Sequence, residues 1–256
     1  MKWKLFFIFG CVELLSACQT LSGVLPPTAQ ANTPTIQIES LTSSPPRTPT
    51  TEGDDMLLNS ILIPLGNPPT LDGTISPGEW EQAAIEFFAD SSQLLLMQDG
   101  EFLYVGIRAN ETGMIAGNVF IQRGDEIHIL HASAALGTAI YQKSEDRWQQ
   151  IQDFSWRCRN TGNSEAAQTE RAKFLTEEGW VAANGLMGTP NELEYQIKIP
   201  DGDFRLAAVY IKASPPYEKI PWPPQLIDDT ILPTPGGLPD SFYFSPAQWA
   251  MLDLSK

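Results

Sequence analysis

The sequence predicts an all-β protein, an antiparallel β-sandwich with a few short helical turns, over residues 57–256 of the 256-residue chain. Short segments in this region alternate apolar and polar residues with a period of two, as half-buried strands do. Turn residues separate these segments, and helical periodicity is weak throughout. Many short strands with few helices are typical of a sandwich or barrel.

Residues 1–18, "MKWKLFFIFGCVELLSAC", have the pattern of a processing signal. Two lysines precede an apolar stretch that is too short to span a bilayer comfortably as a helix. The end, "LSAC", resembles a bacterial lipobox, which implies that Cys18 is diacylated and becomes the mature N-terminus. The alternative is an ordinary signal peptide cut elsewhere, because Glu13 is costly in the apolar stretch. We expect a lipid-anchored protein on the extracytoplasmic side of a bacterial envelope membrane.

Residues 19–56 form a predicted disordered tether between the anchor and the sandwich domain. Threonine, proline and serine dominate this segment, and it contains no aromatic residue. Such a composition cannot bury enough apolar area to offset the entropy of ordering. Proline keeps the segment extended, so it is expected to hold the domain away from the membrane.

The strand predictions come from alternating segments within residues 57–256. The clearest are "EFLYVGIRA" (101–109), "DEIHILHA" (125–132), "NELEYQIKIP" (191–200) and "FRLAAVYIKA" (204–213). Residues 138–142 and 147–152 flank the polar "KSED" and predict a hairpin. Short helical turns are predicted at 78–84 and 246–250, where proline and glycine or a capping serine begin the segment.

Charge and missing motifs exclude several classes of function. The chain has 31 acidic and 16 basic residues, a formal net charge of −15, so it repels phosphate backbones and nucleic acid is not an expected partner. The GxSxG, HExxH, P-loop and GxGxxG motifs are absent. We therefore expect a protein that binds and does not catalyse. Of the three cysteines, only Cys158 remains after lipidation and processing, and it is predicted to be a small buried residue.

The stretch "PTLDGTISPGEWEQA" (69–83) resembles the start of the family 9 carbohydrate-binding module and its DOMON-like relatives. The resemblance continues in order through "DGEFLYVGIRANET" (99–112), "RGDEIHIL" (123–130), "NELEYQIKIP" and "FYFSPAQWAMLDL" (242–254). It implies a β-sandwich in which Trp80 closes one end of the core. Segments 148–160 and 214–230 depart from the family pattern, and they are expected to carry what is particular to this protein.

The candidate ligand residues lie in those two segments. Sugar binders stack pyranose rings on exposed aromatic faces and hold hydroxyls with polar side chains. Trp148, Trp156, Arg157 and Trp222 are accordingly the predicted carbohydrate-binding residues, with a polysaccharide or cell-wall glycan as partner. A structural or protein-interaction domain is the alternative, and it predicts that Trp156 and Trp222 are buried. A core position is the preferred interpretation for three other residues, Trp80, Trp180 and Trp249.

Haem is a further alternative, because some DOMON-like domains bind it through a histidine and a methionine. His128 and His131 lie three apart on one predicted strand, so they face opposite sides and cannot readily chelate one metal. Met97 and Met114 are available as second ligands. A buried, hydrogen-bonded histidine is the preferred interpretation, and no cofactor is expected.

Calcium is the one metal for which the sequence offers ligands. Asp228 and Asp229, in a proline-rich segment, and Asp125 and Glu126, at the start of a predicted strand, supply carboxylates of the kind that calcium takes. No EF-hand spacing is present. The sequence therefore leaves structural calcium open.

Overall fold

The structure, a computed structural model, describes residues 60–160, 164–185, 188–202, 204–226 and 238–254. The predicted signal segment with Cys18 and the predicted tether lie outside these residues. Nine of the described strands form one sheet: β1 (Ser60–Leu62), β5 (Ile115–Arg123), β6 (Glu126–Ala132), β7 (Leu136–Ser144), β8 (Arg147–Cys158), β11 (Arg205–Lys212), β12 (Lys219–Trp222), β13 (Ser241–Phe242) and β14 (Ala250–Asp253).

The other described strands form a five-stranded sheet: β2 (Ala84–Phe87), β3 (Gln93–Gln98), β4 (Phe102–Arg108), β9 (Trp180–Asn184) and β10 (Glu192–Lys198). Its order is β2-β3-β4-β10-β9, and that of the larger sheet is β1-β14-β11-β5-β6-β7-β8-β13, with β12 also paired to β11. The pairings are antiparallel except for β1 with β14. The predicted all-β sandwich is confirmed.

The inner faces of the two sheets pack against each other in the main core. Leu96, Val105 and Tyr195 of the smaller sheet and Val119 and Leu206 of the larger one belong to the same buried apolar cluster. Alternation along each strand places these residues on one face. The predicted hairpin is present, because β7 pairs antiparallel with β8 around Glu145 and Asp146.

A second buried cluster covers part of the outer face of the nine-stranded sheet. The segment 238–249, which includes β13 and a 3-10 helix at Pro246–Gln248, packs over that face. Trp249 is fully buried there against Phe120 and Phe244. The helical turn predicted at 246–250 is present in shorter form, at Pro246–Gln248, but Ser245 makes no side-chain capping hydrogen bond.

Helix α1 (Glu165–Glu178) was not predicted from the sequence. Ser164 caps its N-terminus by accepting a hydrogen bond from the Ala167 amide, and Gly179 ends it with φ 74°. The buried face of the helix includes Arg171, so a polar residue interrupts the apolar periodicity. By contrast, residues 78–83 form turns and bends in place of the predicted helical segment, and β2 begins at Ala84. None of the described helical segments is long and apolar enough to cross a membrane.

The opening stretch "LDGTISPGEW" is fastened to β10 by Glu194. The Glu194 carboxylate accepts hydrogen bonds from the backbone amides of Asp72 (3.0 Å) and Gly73 (2.7 Å) and from Trp80 Nε1 (3.1 Å). Trp80 is buried, as predicted. Gly73 has φ 82°, and a Cβ there would lie 2.1 Å from the backbone of Asn184, so this close turn requires glycine.

Glu192 holds the next part of the same loop. Its carboxylate accepts hydrogen bonds from the Ile75 amide (2.9 Å) and from Arg108 Nε (2.6 Å). The alternating pattern of β10 predicts that its glutamates face solvent, but Glu192 and Glu194 are both buried. The reason is that the opening loop covers the outer face of β10 and supplies the hydrogen-bond donors that buried carboxylates need.

Candidate functional site

Four residues form a row across four adjacent strands of the nine-stranded sheet. Asn118 of β5 is paired with His131 of β6, His131 with Gly137 of β7, and Gly137 with Trp156 of β8. His131 shares its face of β6 with Ile127 and Ile129, which belong to the outer buried cluster. The row therefore lies on the outer face of the sheet, beside that cluster.

Trp156 presents an aromatic surface to solvent at the end of this row. Its side chain is 41% exposed, while its ring lies over the backbone of Gly137. A Cβ on Gly137 would be only 2.9 Å from Cε3 and 3.1 Å from Cζ3 of that ring. Phe154 lies beside it, with ring centroids 5.1 Å apart and planes at 33°. We call Asn118, His131, Gly137, Phe154 and Trp156 the outer-face platform.

Replacing Gly137 with alanine should displace the Trp156 ring, because the added methyl group overlaps it. We expect a loss of about 1–2 kcal/mol in the free energy of unfolding, as for overpacked sites, and a weaker platform for any ligand. Urea denaturation measures the first effect. Gly188→Ala is the matched control, since a Cβ there meets no atom within 4 Å. Equal stability of the two variants would contradict the close packing of Trp156 on Gly137.

His131 also contacts the Trp156 ring. The two rings meet edge to face, with centroids 5.3 Å apart and planes at 89°. His131 Nδ1 lies 2.7 Å from Asn118 Oδ1. The amide oxygen can only accept, so Nδ1 carries the proton and Nε2 is left as an acceptor in the neutral ring. Burial lowers the pKa of His131 to about 4, so the ring is neutral at physiological pH.

The structure separates the four predicted ligand residues. Trp156 is exposed, but Trp148 is buried under Phe244 in the outer cluster, and Trp222 is buried in the main core. The faces of those two rings are therefore occupied by protein side chains and are not presented to a ligand. Trp148 lies on β8, which pairs with β13, and Trp222 lies on β12, which pairs with β11. A local sequence pattern does not reveal these pairings.

Arg157 is directed away from Trp156, because neighbouring residues of a strand face opposite sides. Arg157 Nη1 pairs with Glu178 Oε1 at 2.8 Å. Glu178 also accepts a hydrogen bond from Thr138 Oγ1, which in turn accepts one from Trp180 Nε1. This chain of contacts fastens α1 to the sheet, and Trp180 is buried as predicted.

The residues considered for haem lie on different parts of the sandwich. Met97 is fully buried on the outer face of the five-stranded sheet, whereas His131 lies on the outer face of the other sheet. His128 contacts Glu126 Oε2 at 3.0 Å, and Met114 is partly exposed near the start of β5. His128 contacts Glu126 and His131 contacts Asn118, which agrees with the expectation that the two histidines face opposite sides of the strand.

For calcium, Asp228 and Asp229 lie outside the described residues. Within the described ranges, no group of three or more histidine, cysteine, aspartate or glutamate side chains is arranged to hold a metal ion. Cys158 is a free, buried thiol, as predicted, and burial raises its pKa. The thiol is therefore protonated and unreactive at neutral pH.

Sequence reasoning missed most of the platform. The sequence singled out Trp156, and the expected hydrogen-bonded histidine is present at His131, where it is largely buried. The sequence did not indicate that these two residues meet, or that the missing side chain of Gly137 makes room for Trp156. Asn118 and Phe154 gave no local signal, because their role depends on strand register.

No family model and no curated protein matches the chain. The chain is similar to a solved structure from Bacteroides uniformis, a protein provisionally described as carbohydrate-binding. The two share 12% sequence identity and a TM-score of 0.42, and the match covers 77% of this chain and 99% of the other. A similarity at this level carries no conclusion about the ligand of this chain.

Proposed function

We propose that this protein is a lipid-anchored envelope protein whose sandwich binds carbohydrate or cell-wall glycan without catalysis, at the outer-face platform. The observation that carries the proposal is Trp156: a large aromatic ring that is 41% exposed and yet packed in a fixed position between Gly137, Phe154 and His131. The apolar C–H face of a pyranose stacks on such a ring, while polar groups at the edge bind hydroxyls.

The fixed position of the ring favours binding. A mobile surface tryptophan loses conformational freedom when a ligand stacks on it, which costs about 0.5–1.5 kcal/mol per side chain. Trp156 is already held by Gly137 beneath it and by the edge contact to His131. Most of that cost is therefore met when the protein folds, and the stacking energy is available for affinity.

The glycan role is tested with the full-length chain, purified in detergent, on a glycan array. Trp156→Ala is expected to lower affinity for bound glycans at least tenfold, since stacking aromatics are dominant contributors to binding. Tyr217→Ala is the control, because Tyr217 is a 69% exposed aromatic outside the platform. Binding that survives in Trp156→Ala, or no glycan binding at all, would contradict the proposal and favour a structural or interaction domain.

The lipid anchor is a separate part of the proposal, and it rests on the "LSAC" sequence that ends at Cys18. When the chain is expressed in a bacterial host with an alkyne fatty acid, the parent should acquire the label and partition with membranes. Cys18→Ala should lose both properties. Cys158→Ala should keep them, because Cys158 is buried in the folded domain; label in the Cys18 variant would place the lipid elsewhere.

A further inference from the structure

We infer that the outer-face platform selects neutral pyranosides over acidic ones, with His131 Nε2 accepting a hydrogen bond from a sugar hydroxyl. This inference rests on the proposed glycan-binding function and names the class of glycan and a second contact residue. Two features of the described residues support it, the proton arrangement of His131 and the placement of charges around Trp156, and the hydroxyl chemistry of sugars agrees with both.

The proton arrangement of His131 leaves one nitrogen available to a ligand. Asn118 Oδ1 occupies Nδ1 at 2.7 Å, and no hydrogen bond to Nε2 is present among the described residues. The ring is partly exposed and lies edge to face against Trp156. A lone pair beside the stacking surface suits a hydroxyl donor at the rim of a stacked pyranose. Asn118 is a positioning residue, since it sets the tautomer of His131 and does not reach the ligand.

His131 remains an acceptor across the ordinary pH range. Its neighbours on the platform are Asn118, Phe154 and Trp156, which carry no charge near neutral pH, and no acidic partner of the ring is present in the part of the chain that the structure describes. Burial holds its pKa at about 4. Because the Nδ1–H is donated to Asn118, the neutral ring presents only the acceptor Nε2 to a ligand, and a carboxylate is itself an acceptor.

The charged residues near Trp156 do not favour an acidic sugar. Arg157 is directed to the opposite side of β8 and is paired with Glu178 at 2.8 Å. Arg147, at the other end of the strand, lies over the ring of Tyr243. Asp153 is acidic and acts electrostatically on Tyr141 of the outer cluster, near an irregularity in the β7–β8 pairing, and the chain as a whole has a formal net charge of −15. An acidic glycan would meet repulsion here, with no cation on the platform to offset it.

Titration calorimetry with the full-length chain in detergent tests the inference. The neutral probes are barley β-glucan, xylan, galactomannan and dextran, and the acidic probes are polygalacturonate, alginate and hyaluronate. We expect at least one neutral polysaccharide to bind about tenfold or more tightly than every acidic one at physiological salt, where long-range repulsion is largely screened. Trp156→Ala should weaken that binding at least tenfold, as on the glycan array.

Two substitutions at His131 test its role. His131→Phe keeps a ring beside Trp156 but removes the acceptor, and it should weaken binding of the neutral probe about fivefold to tenfold, as loss of one hydrogen bond does. His131→Gln offers an amide oxygen and should retain more affinity than His131→Phe. Thermal melting of each variant separates loss of the contact from loss of the fold.

Three possible outcomes would overturn three different claims: the selectivity for neutral sugars, the role of His131 Nε2 and the glycan-binding function itself. Tighter binding of an acidic probe, lost in Trp156→Ala, overturns the selectivity for neutral sugars and leaves the glycan-binding function standing. Unchanged affinity in a folded His131→Phe variant overturns the role of Nε2. Failure of every probe and of the wider array to bind overturns the proposed function, and this inference with it.

Discussion

Replacing Glu194 with alanine is expected to lower the free energy of unfolding by about 3–5 kcal/mol. The substitution removes the acceptor for three donors, the amides of Asp72 and Gly73 and the indole of Trp80. Each buried donor left without a partner costs about 1–3 kcal/mol. The loop that begins the domain should also become more open, so Trp80 should become accessible. Urea denaturation gives the change in stability, and acrylamide quenching reports exposure of tryptophan.

Glu81→Ala is the matched control, because Glu81 is an exposed glutamate in the same loop. It should change stability by less than about 0.5 kcal/mol, as surface substitutions do. Similar stability of the two variants would mean that Glu194 does not hold the loop. The hydrogen bonds from the loop would then not account for the burial of two glutamates on β10.

Glu194 also makes the free energy of unfolding depend on pH. Burial raises the pKa of Glu194 from 4.5 to about 7, and its hydrogen bonds to Gly73, Trp80 and Asp72 oppose that shift. The folded state therefore binds more protons than the unfolded state between these values. Stability from this group is fully present below pH 4.5 and is lost as pH rises through 7. Glu194→Ala should lack this component when urea denaturation is repeated from about pH 4.5 to about pH 8.

Replacing Trp222 with alanine is expected to lower the free energy of unfolding by about 3–5 kcal/mol, the range for large aromatics deleted from cores. Trp222 is 2% exposed in the main core, where β12 pairs with β11. Trp156→Ala should cost only about 1 kcal/mol, since much of its ring already faces solvent. Urea denaturation of both variants measures the difference, and Trp222→Ala should lose glycan binding only when it unfolds.

The comparison of the two variants separates core from ligand roles. A Trp222 variant that stays as stable as the parent but no longer binds glycan would return Trp222 to the candidate site. A Trp156 variant that unfolds as easily as the Trp222 variant would make Trp156 a structural residue. Because Trp222 is buried and Trp156 is exposed, we expect neither of these two outcomes.

Several parts of the fold could be predicted from local pattern. Alternation identified β10 and β11 to within a residue or two at each end, because a strand in a sandwich exposes its two faces to different surroundings. Helix α1 was not predicted because Arg171 lies on its buried face and interrupts the apolar periodicity. Its capping residues, Ser164 and Gly179, are the clearer sequence signal for this helix. Amphipathic periodicity fails wherever a polar group is buried with a partner.

The sequence by itself determined the sandwich class and the segments of six strands, β4, β6, β7, β8, β10 and β11, because period and turn residues act locally along the chain. Only the tertiary structure decided which of the three tryptophans predicted to bind ligand faces solvent. Trp148, Trp156 and Trp222 are chemically alike, and strand pairing with packing buries the first and the last. The platform likewise depends on register: residues 118, 131, 137 and 156 meet in one row because four strands pair in one alignment. A shift of one residue would turn any of these side chains to the opposite face.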